Sequence, residues 1–242
     1  MAYLQRQVFF NDEASFTDIN SVTRQFVLHG PNADAVMTAL APEASSTTAL
    51  NGIEAKIADI PVFVARRKPV SGGHWAFYAV SEQAESVWQS ILEIGAPLGL
   101  IPAGSQTYNA LRIYAGRPAG RELSTDYIPL EAGLWDEVSF SKGCYTGQEI
   151  IARMESRNRL AKTIVKVRLS AWVEAPANLY LEGKMVGTLT SSVITPNNEI
   201  LGIGFVKVPM AIPEEKFSAG ENGAEVIIIA LAGAQPPQLA QG

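Results

Sequence analysis

The sequence predicts an α+β protein in two parts, small α/β subdomains followed by an all-β module. Two observations predict it. Strand-like and helix-like patterns interleave up to about residue 160, as they do where helices cover a sheet. Beyond that point the pattern becomes alternation punctuated by turns. Leu160 to Ser170 (LAKTIVKVRLS) places Thr163, Val165, Val167 and Leu169 on one side and Lys162, Lys166 and Arg168 on the other, the period of a half-buried strand. The expected division is residues 1–160, residues 161–232 as a barrel or sandwich, and a disordered tail over 233–242.

In chain order, Arg24 to His29 (RQFVLH) reads as a strand ending at the turn pair Gly30-Pro31. Asn32 is placed to cap a helix that turns Ala33, Val36, Met37 and Leu40 inward. Ile53 to Ala58, Val62 to Arg67 and His74 to Val80 are three extended pieces. Ser81 is placed to cap a helix carrying Ala84, Val87, Trp88, Ile91 and Leu92 at helical spacing, with Gly95 as its stop. A further helix is expected from Ser105 to Ala115, with Tyr108, Leu111 and Ala115 inward. Tyr180-Leu181, Met185 to Ser191, Leu201 to Val208 and Val226 to Ala230 read as the later strands, separated by turns such as Glu182-Gly183 and Pro196-Asn197-Asn198.

Composition narrows the classes of function. The 242 residues are 47% hydrophobic and 18% charged, which suits a chain that buries a core rather than a disordered one. A net charge of -5 argues against a surface devoted to nucleic acid or anionic membrane. The apolar run Val226 to Ala234 is too short to span a bilayer, which takes ~20 residues. A single cysteine excludes an intrachain disulfide and fits a reducing compartment. The expectation is a soluble cytoplasmic protein.

Phosphate-loop, nucleophile-elbow and His-Glu-x-x-His patterns are absent. With His29, His74 and Cys144 as the available soft or borderline ligands, an intrachain metal site is not expected. Each histidine bounds an apolar strand and reads as structural. The stretch Lys142 to Glu149 (KGCYTGQE) is different, because it holds the one thiol. Thr146 and Glu149 fit a capping box at the start of a short helix on which Ile150, Ile151 and Met154 turn inward. Cys144 then precedes an electropositive helix end, with Lys142 close by, and both features favour a thiolate. The other reading, a small apolar filler between turn glycines, stays open on these grounds. Arg153, Arg157, Arg159, Lys162, Lys166 and Arg168 form a basic run opposed locally by Glu155, suited to phosphate or carboxylate groups.

KGCYTGQEIIAR resembles the signature of the YgfZ-type folate-binding proteins, which share a superfamily with the aminomethyltransferase (T-protein) of the glycine cleavage system. FVLHGPNADAV, WQSILEIGAPLGLIPAGSQTYNALRIYAGRP and VGTLTSSVITPNNEILGIGFV resemble further superfamily segments, so the likeness covers nearly the whole chain. It implies an aminomethyltransferase-type folate-binding fold with a C-terminal β-barrel, tetrahydrofolate as cofactor, and a role in iron–sulfur cluster assembly or repair. By position, it implies Cys144 and Lys142 as catalytic residues. It implies Arg112, Tyr114, Tyr145, Gln148, Glu149 and Arg153 as folate-binding residues. Implied partners are the folate and iron–sulfur apoproteins, with neither membrane nor nucleic acid. Two alternatives accompany this reading: a tetrahydrofolate-dependent aminomethyltransferase, or a non-catalytic interaction module.

Two departures from the pattern bear on it. Aminomethyltransferases carry a pterin-gripping glutamate in an Arg-Leu-Glu-Ala-Gly run, and here the run is Arg112-Ile113-Tyr114-Ala115-Gly116. A phenol lacks the bidentate, charge-assisted contact of a carboxylate. LQRQVFFNDEASFTDIN also resembles a segment that follows a leading α/β portion, so that portion, with the catalytic aspartate region, is expected to be absent. The chain would then be a truncated product or a short natural relative, its exposed sheet edge inviting a homodimer.

Overall fold

Residues 1–157, 160–220 and 223–236 are described by the structure, a computed structural model. It separates into two units, Met1–Ala103 and Gly104–Gly242. Residues 104–160 therefore group with the barrel and not, as expected, with the leading α/β region.

In the first unit a five-residue helix, α1 (Ala2–Arg6), precedes an antiparallel sheet built from β1 (Thr23–Gly30), β2 (Gly52–Ile57), β3 (Ile60–Arg66) and β4 (Gly73–Val80). The strand order is β1-β4-β3-β2, so β1 and β2 are the edges. Helices α2 (Ala33–Leu40) and α3 (Ala84–Gly95) supply the covering layer. Val36, Met37 and Leu40 of α2 share one core with Val87 and Ile91 of α3 and with Trp75 and Phe77 of β4. Burying side chains of this size contributes about 1.5–3 kcal/mol each. The two expected caps are used differently. The Asn32 amide donates to the Leu98 carbonyl at 3.0 Å, and the Ser81 hydroxyl accepts from Arg24 at 3.0 Å. Both side chains tie distant segments together instead of closing helix ends. Between Ser81 and α3 lies a 3-10 turn.

The second unit begins with α4 (Ser105–Tyr114), contains α5 (Gln148–Arg157), and ends in a closed barrel. The barrel strands are β5 (Lys162–Leu169), β6 (Ala177–Leu181), β7 (Lys184–Ile194), β8 (Ile200–Lys207), β9 (Lys216–Ala219) and β10 (Ala224–Leu231). They close in the order β10-β5-β8-β7-β6-β9. Val165, Val167 and Leu169 point into the barrel core with Leu189, Val206 and Phe217. The opposite side of β5 is not simply solvated. Ile164 is fully buried there, with Ile113 of α4 and with Leu201, Ile203 and Phe205 of β8. A second apolar layer thus lies on the outside of the barrel, under the segment that follows α4. It moves the inward face of α4 to Arg112 and Ile113, while Ala115 is exposed.

One buried polar cluster fastens that layer. Glu122, in a 3-10 turn at Gly120–Leu123, is fully buried and 2.9 Å from Nη1 of the buried Arg112. Its other oxygen lies 2.6 Å from the Thr190 hydroxyl and 2.7 Å from that of Ser191, both on β7. Arg112 donates further to Asn109 at 2.8 Å, to Ser191 at 2.8 Å and to the Arg117 carbonyl at 3.3 Å. Every charge is matched, which is the condition for keeping ions out of water.

Part of the expected tail is ordered. Ala234 forms a parallel bridge with Leu134, and Gly233 donates to the Gly116 carbonyl at 2.9 Å. A Cβ on Gly233 would lie 2.6 Å from the Gly133 oxygen, so close backbone passage requires glycine there. The remainder of the expected tail, 237–242, lies outside the described residues.

Glu122→Ala leaves a buried guanidinium without its counter-charge, and chemical denaturation should show a loss of about 3–5 kcal/mol. The Tyr127 ring stacks on Phe205 with centroids 3.4 Å apart. Burial, and then the charge of Asp126, raise its phenol above the usual range. The folded state therefore holds that proton more tightly, so stability is retained below the ordinary tyrosine pKa of about 10 and falls as pH climbs above it. Alkaline spectrophotometric titration in parallel with thermal melts checks this, and Tyr127→Phe should flatten the dependence.

Candidate functional site

The loop Lys142–Gly147 turns into α5 by a contact shifted one residue from the expected box. Gln148 reaches back so that its Oε1 accepts the Tyr145 N–H at 3.1 Å, and the helix starts at Gln148. The bond joins residues three apart but lies ahead of the helix, and it runs between Tyr145 and Gln148, not between Thr146 and Glu149. Gly147 has φ +87, a left-handed conformation that glycine adopts without a Cβ penalty. Ile151 is buried against Leu130 and Trp135, and Met154 packs beside them. Ile150, expected inward, is 53% exposed.

Beside this loop lies a hollow of about 360 Å³. Ile128, Pro129, Val138, Tyr145, Gly147 and Ile150 are among the residues that line it. Glu137 and Lys142 bring opposite charges to its lining. The Tyr145 hydroxyl donates to the Ser139 carbonyl at 3.1 Å, and the Lys142 backbone N–H donates to the Ser139 hydroxyl at 3.1 Å. The Lys142 ammonium sits 4.8 Å from the centre of the Tyr145 ring, a cation–π distance. Cys144 is exposed, between two residues of this frame, although it is not among those lining the hollow. A reagent or partner can therefore reach the thiol without any core group moving.

The implied site residues, catalytic and folate-binding, do not all converge. Lys142, Tyr145 and Gln148 belong to the loop and its helix start, with exposed Glu149 and Arg153 further along α5. Arg112 is committed to the Glu122 cluster. Tyr114, two residues on, is 62% exposed, and the Lys166 ammonium lies 5.5 Å from its ring centre. Of the basic run, Lys162 lies 5.4 Å from the Tyr127 ring centre and Arg168 is 3.8 Å from Glu199. Arg159 and the Arg157 side chain fall outside the described residues. The His29 and His74 rings meet across β1 and β4, tilted by 37° with centroids 4.0 Å apart, and His74 Nδ1 is 2.8 Å from the Lys68 carbonyl. Among the described residues no group of three or more His, Cys, Asp or Glu could hold a metal ion. Nor, among the described residues, is any helix long and apolar enough to cross a membrane.

Residues 1–142 match the family described as the GCVT N-terminal domain. The chain belongs to that family. It is similar to a chloroplastic protein of Arabidopsis thaliana provisionally named a transferase, with 32% identity over 93% of this chain and 52% of that protein. It is also similar to the aminomethyltransferase of Desulforamulus reducens, at 27% identity over 80% of this chain and 54% of the relative. The chain thus spans a little over half the length of these relatives. In three dimensions it resembles the glycine cleavage system aminomethyltransferase T of Bartonella henselae. That likeness has a TM-score of 0.72, with 18% identity over 86% of this chain and 59% of that one. The α+β architecture with a terminal barrel is therefore that of the GCVT family.

Sequence reasoning found the loop but missed Ile128, Pro129, Glu137 and Ser139, which no motif or period marks and which reach the hollow by tertiary folding. Cys144→Ala should change stability by no more than about 0.5 kcal/mol, because the side chain is exposed. A loss of several kcal/mol by chemical denaturation would instead assign the thiol a packing role.

Proposed function

We propose that this GCVT-family chain is a folate-binding accessory protein of the YgfZ type, acting in iron–sulfur cluster assembly or repair through Cys144. The observation that carries the proposal is the exposed thiol within Lys142–Glu149, on a loop whose neighbours wall a hollow of about 360 Å³. That volume lies within the range of small-molecule sites, about 300–1,000 Å³. Apolar walls with a few polar groups also suit a flat heteroaromatic ring such as a pterin. Tyr145 and Ile150 would flank the ring, and Glu137 and Lys142 would offer it an acceptor and a donor. Gln148 contributes by holding the Tyr145 backbone in place. Bound tetrahydrofolate supplies ring nitrogens able to carry a one-carbon unit. The iron–sulfur cluster is cargo in this reading, and Cys144 is the group that meets the client.

A second reading, a tetrahydrofolate-dependent aminomethyltransferase, is favoured by the names of the relatives. Tyr114 weighs against it. In place of a pterin-gripping carboxylate it presents a phenol whose ring lies against Lys166, and no bidentate anchor remains at that position.

Calorimetry with folinic acid should give saturable heat, and the melting temperature should rise with the logarithm of free ligand once its concentration exceeds Kd. Cys144→Ala should retain that heat yet fail to restore iron–sulfur enzyme activity in cells lacking the protein. Equal restoration by both proteins would remove Cys144 from the function, and absence of folate heat would remove the cofactor.

A further inference from the structure

A second hollow, also of about 360 Å³, lies in the barrel unit between the Gly120–Leu123 turn, β7 and the segment leading into β6. Its lining includes Arg121, Glu174, Trp172, Asn109 and Ser192. We propose that it is a binding site for a free α-amino acid, with Arg121 receiving the carboxylate and Glu174 the ammonium group. The site shares no lining residue with the hollow beside Cys144.

The hydrogen-bond inventory carries the assignment. Arg121 is pinned by one end only, its Nη1 donating to the carbonyls of Ala175 and Thr190. Its Nε and Nη2 make no hydrogen bond among the described residues. That edge is a planar two-donor fork, the geometry a carboxylate takes bidentately. Glu174 is exposed and forms no ion pair or hydrogen bond among the described residues. Arg121 and Glu174 thus face one hollow with opposite charges and do not pair with each other.

The other polar groups divide in the same sense. Asn109 accepts from Arg112 through Oδ1, which leaves its NH2 as a donor for the carboxylate. The Ser192 hydroxyl donates to the Val173 carbonyl at 2.9 Å, which leaves its lone pairs for the ammonium. The buried Arg112 contributes little direct attraction, because Glu122 neutralises it. An anion without an ammonium group would face Glu174 unbalanced, and an amine without a carboxylate would face Arg121. A ligand bearing both satisfies both. The Trp172 indole, 47% exposed, gives the ligand's side chain an apolar face.

The test is calorimetry on the full chain with glycine, L-leucine and L-phenylalanine. Two analogues of leucine serve as controls: 4-methylpentanoate, which lacks the ammonium, and 3-methylbutylamine, which lacks the carboxylate. At least one amino acid should bind with a Kd of about 1 mM or tighter. For leucine, each analogue should bind at least tenfold more weakly than the parent. Glu174→Gln should erase the preference for whichever parent binds over its deaminated form. This variant removes an exposed carboxylate without a bonded partner, so it should fold normally. Arg121→Gln should erase the preference over the decarboxylated form. Absence of binding by all three amino acids overturns the proposal, as does an unchanged preference in Glu174→Gln. Folinic acid heat should be unaffected by Glu174→Gln, which keeps this outcome separate from the folate reading.

Discussion

The carboxylate of Glu122 is the point on which the barrel unit depends. It lies with no solvent contact between the guanidinium of Arg112 on α4 and the hydroxyls of Thr190 and Ser191 on β7. Isolated burial of either charge would cost several kcal/mol, whereas together, with all partners in place, they are tolerated. The cluster contributes specificity of position more than net stability. In this placement of α4 and the Gly120–Leu123 turn, the carboxylate meets the guanidinium and both hydroxyls. That placement also covers Ile164, Ile203 and Phe205 on the outside of the barrel, and it shapes the wall that carries Arg121.

The loop bearing Cys144 is organised by different physics. A glycine in a left-handed conformation turns the chain, and the Gln148 side chain satisfies a backbone donor ahead of the helix. The apolar anchor is Ile151 against Leu130 and Trp135. With its end fixed in this way, the loop can present a thiol to solvent without burying it. A small polar side chain held outward on an anchored turn is a common arrangement for function, because loops placed by a rigid scaffold carry chemistry at little structural cost.

The two hollows in this unit divide the polar resources of the chain. The one beside Cys144 is walled mainly by aliphatic and aromatic groups with a lysine and a glutamate in its lining. The other carries a guanidinium edge, a carboxylate and an indole. Their difference follows from what lies behind each. The apolar cluster around Leu130 and Trp135 backs the first, and the buried ion pair of Arg112 and Glu122 backs the second.

Much of the architecture was legible in the sequence wherever one period governed burial. The inward face of α2 is Ala33, Val36, Met37 and Leu40, as its spacing required. Val165, Val167 and Leu169 enter the barrel as their alternation required. The thiol motif stood out because its residues are contiguous. Tertiary structure alone decided the burial of Ile164, the use of Asn32 and Ser81 as ties, the aromatic seats of Lys162 and Lys166, and the partners of Glu122. Periodicity records which side of an element meets a core, because one local dihedral pattern repeats along it. It holds no record of which groups meet across 68 residues, as Glu122 and Thr190 do. There the partner is chosen by the cost of leaving a buried charge unmatched, and that cost exists only once the chain has folded.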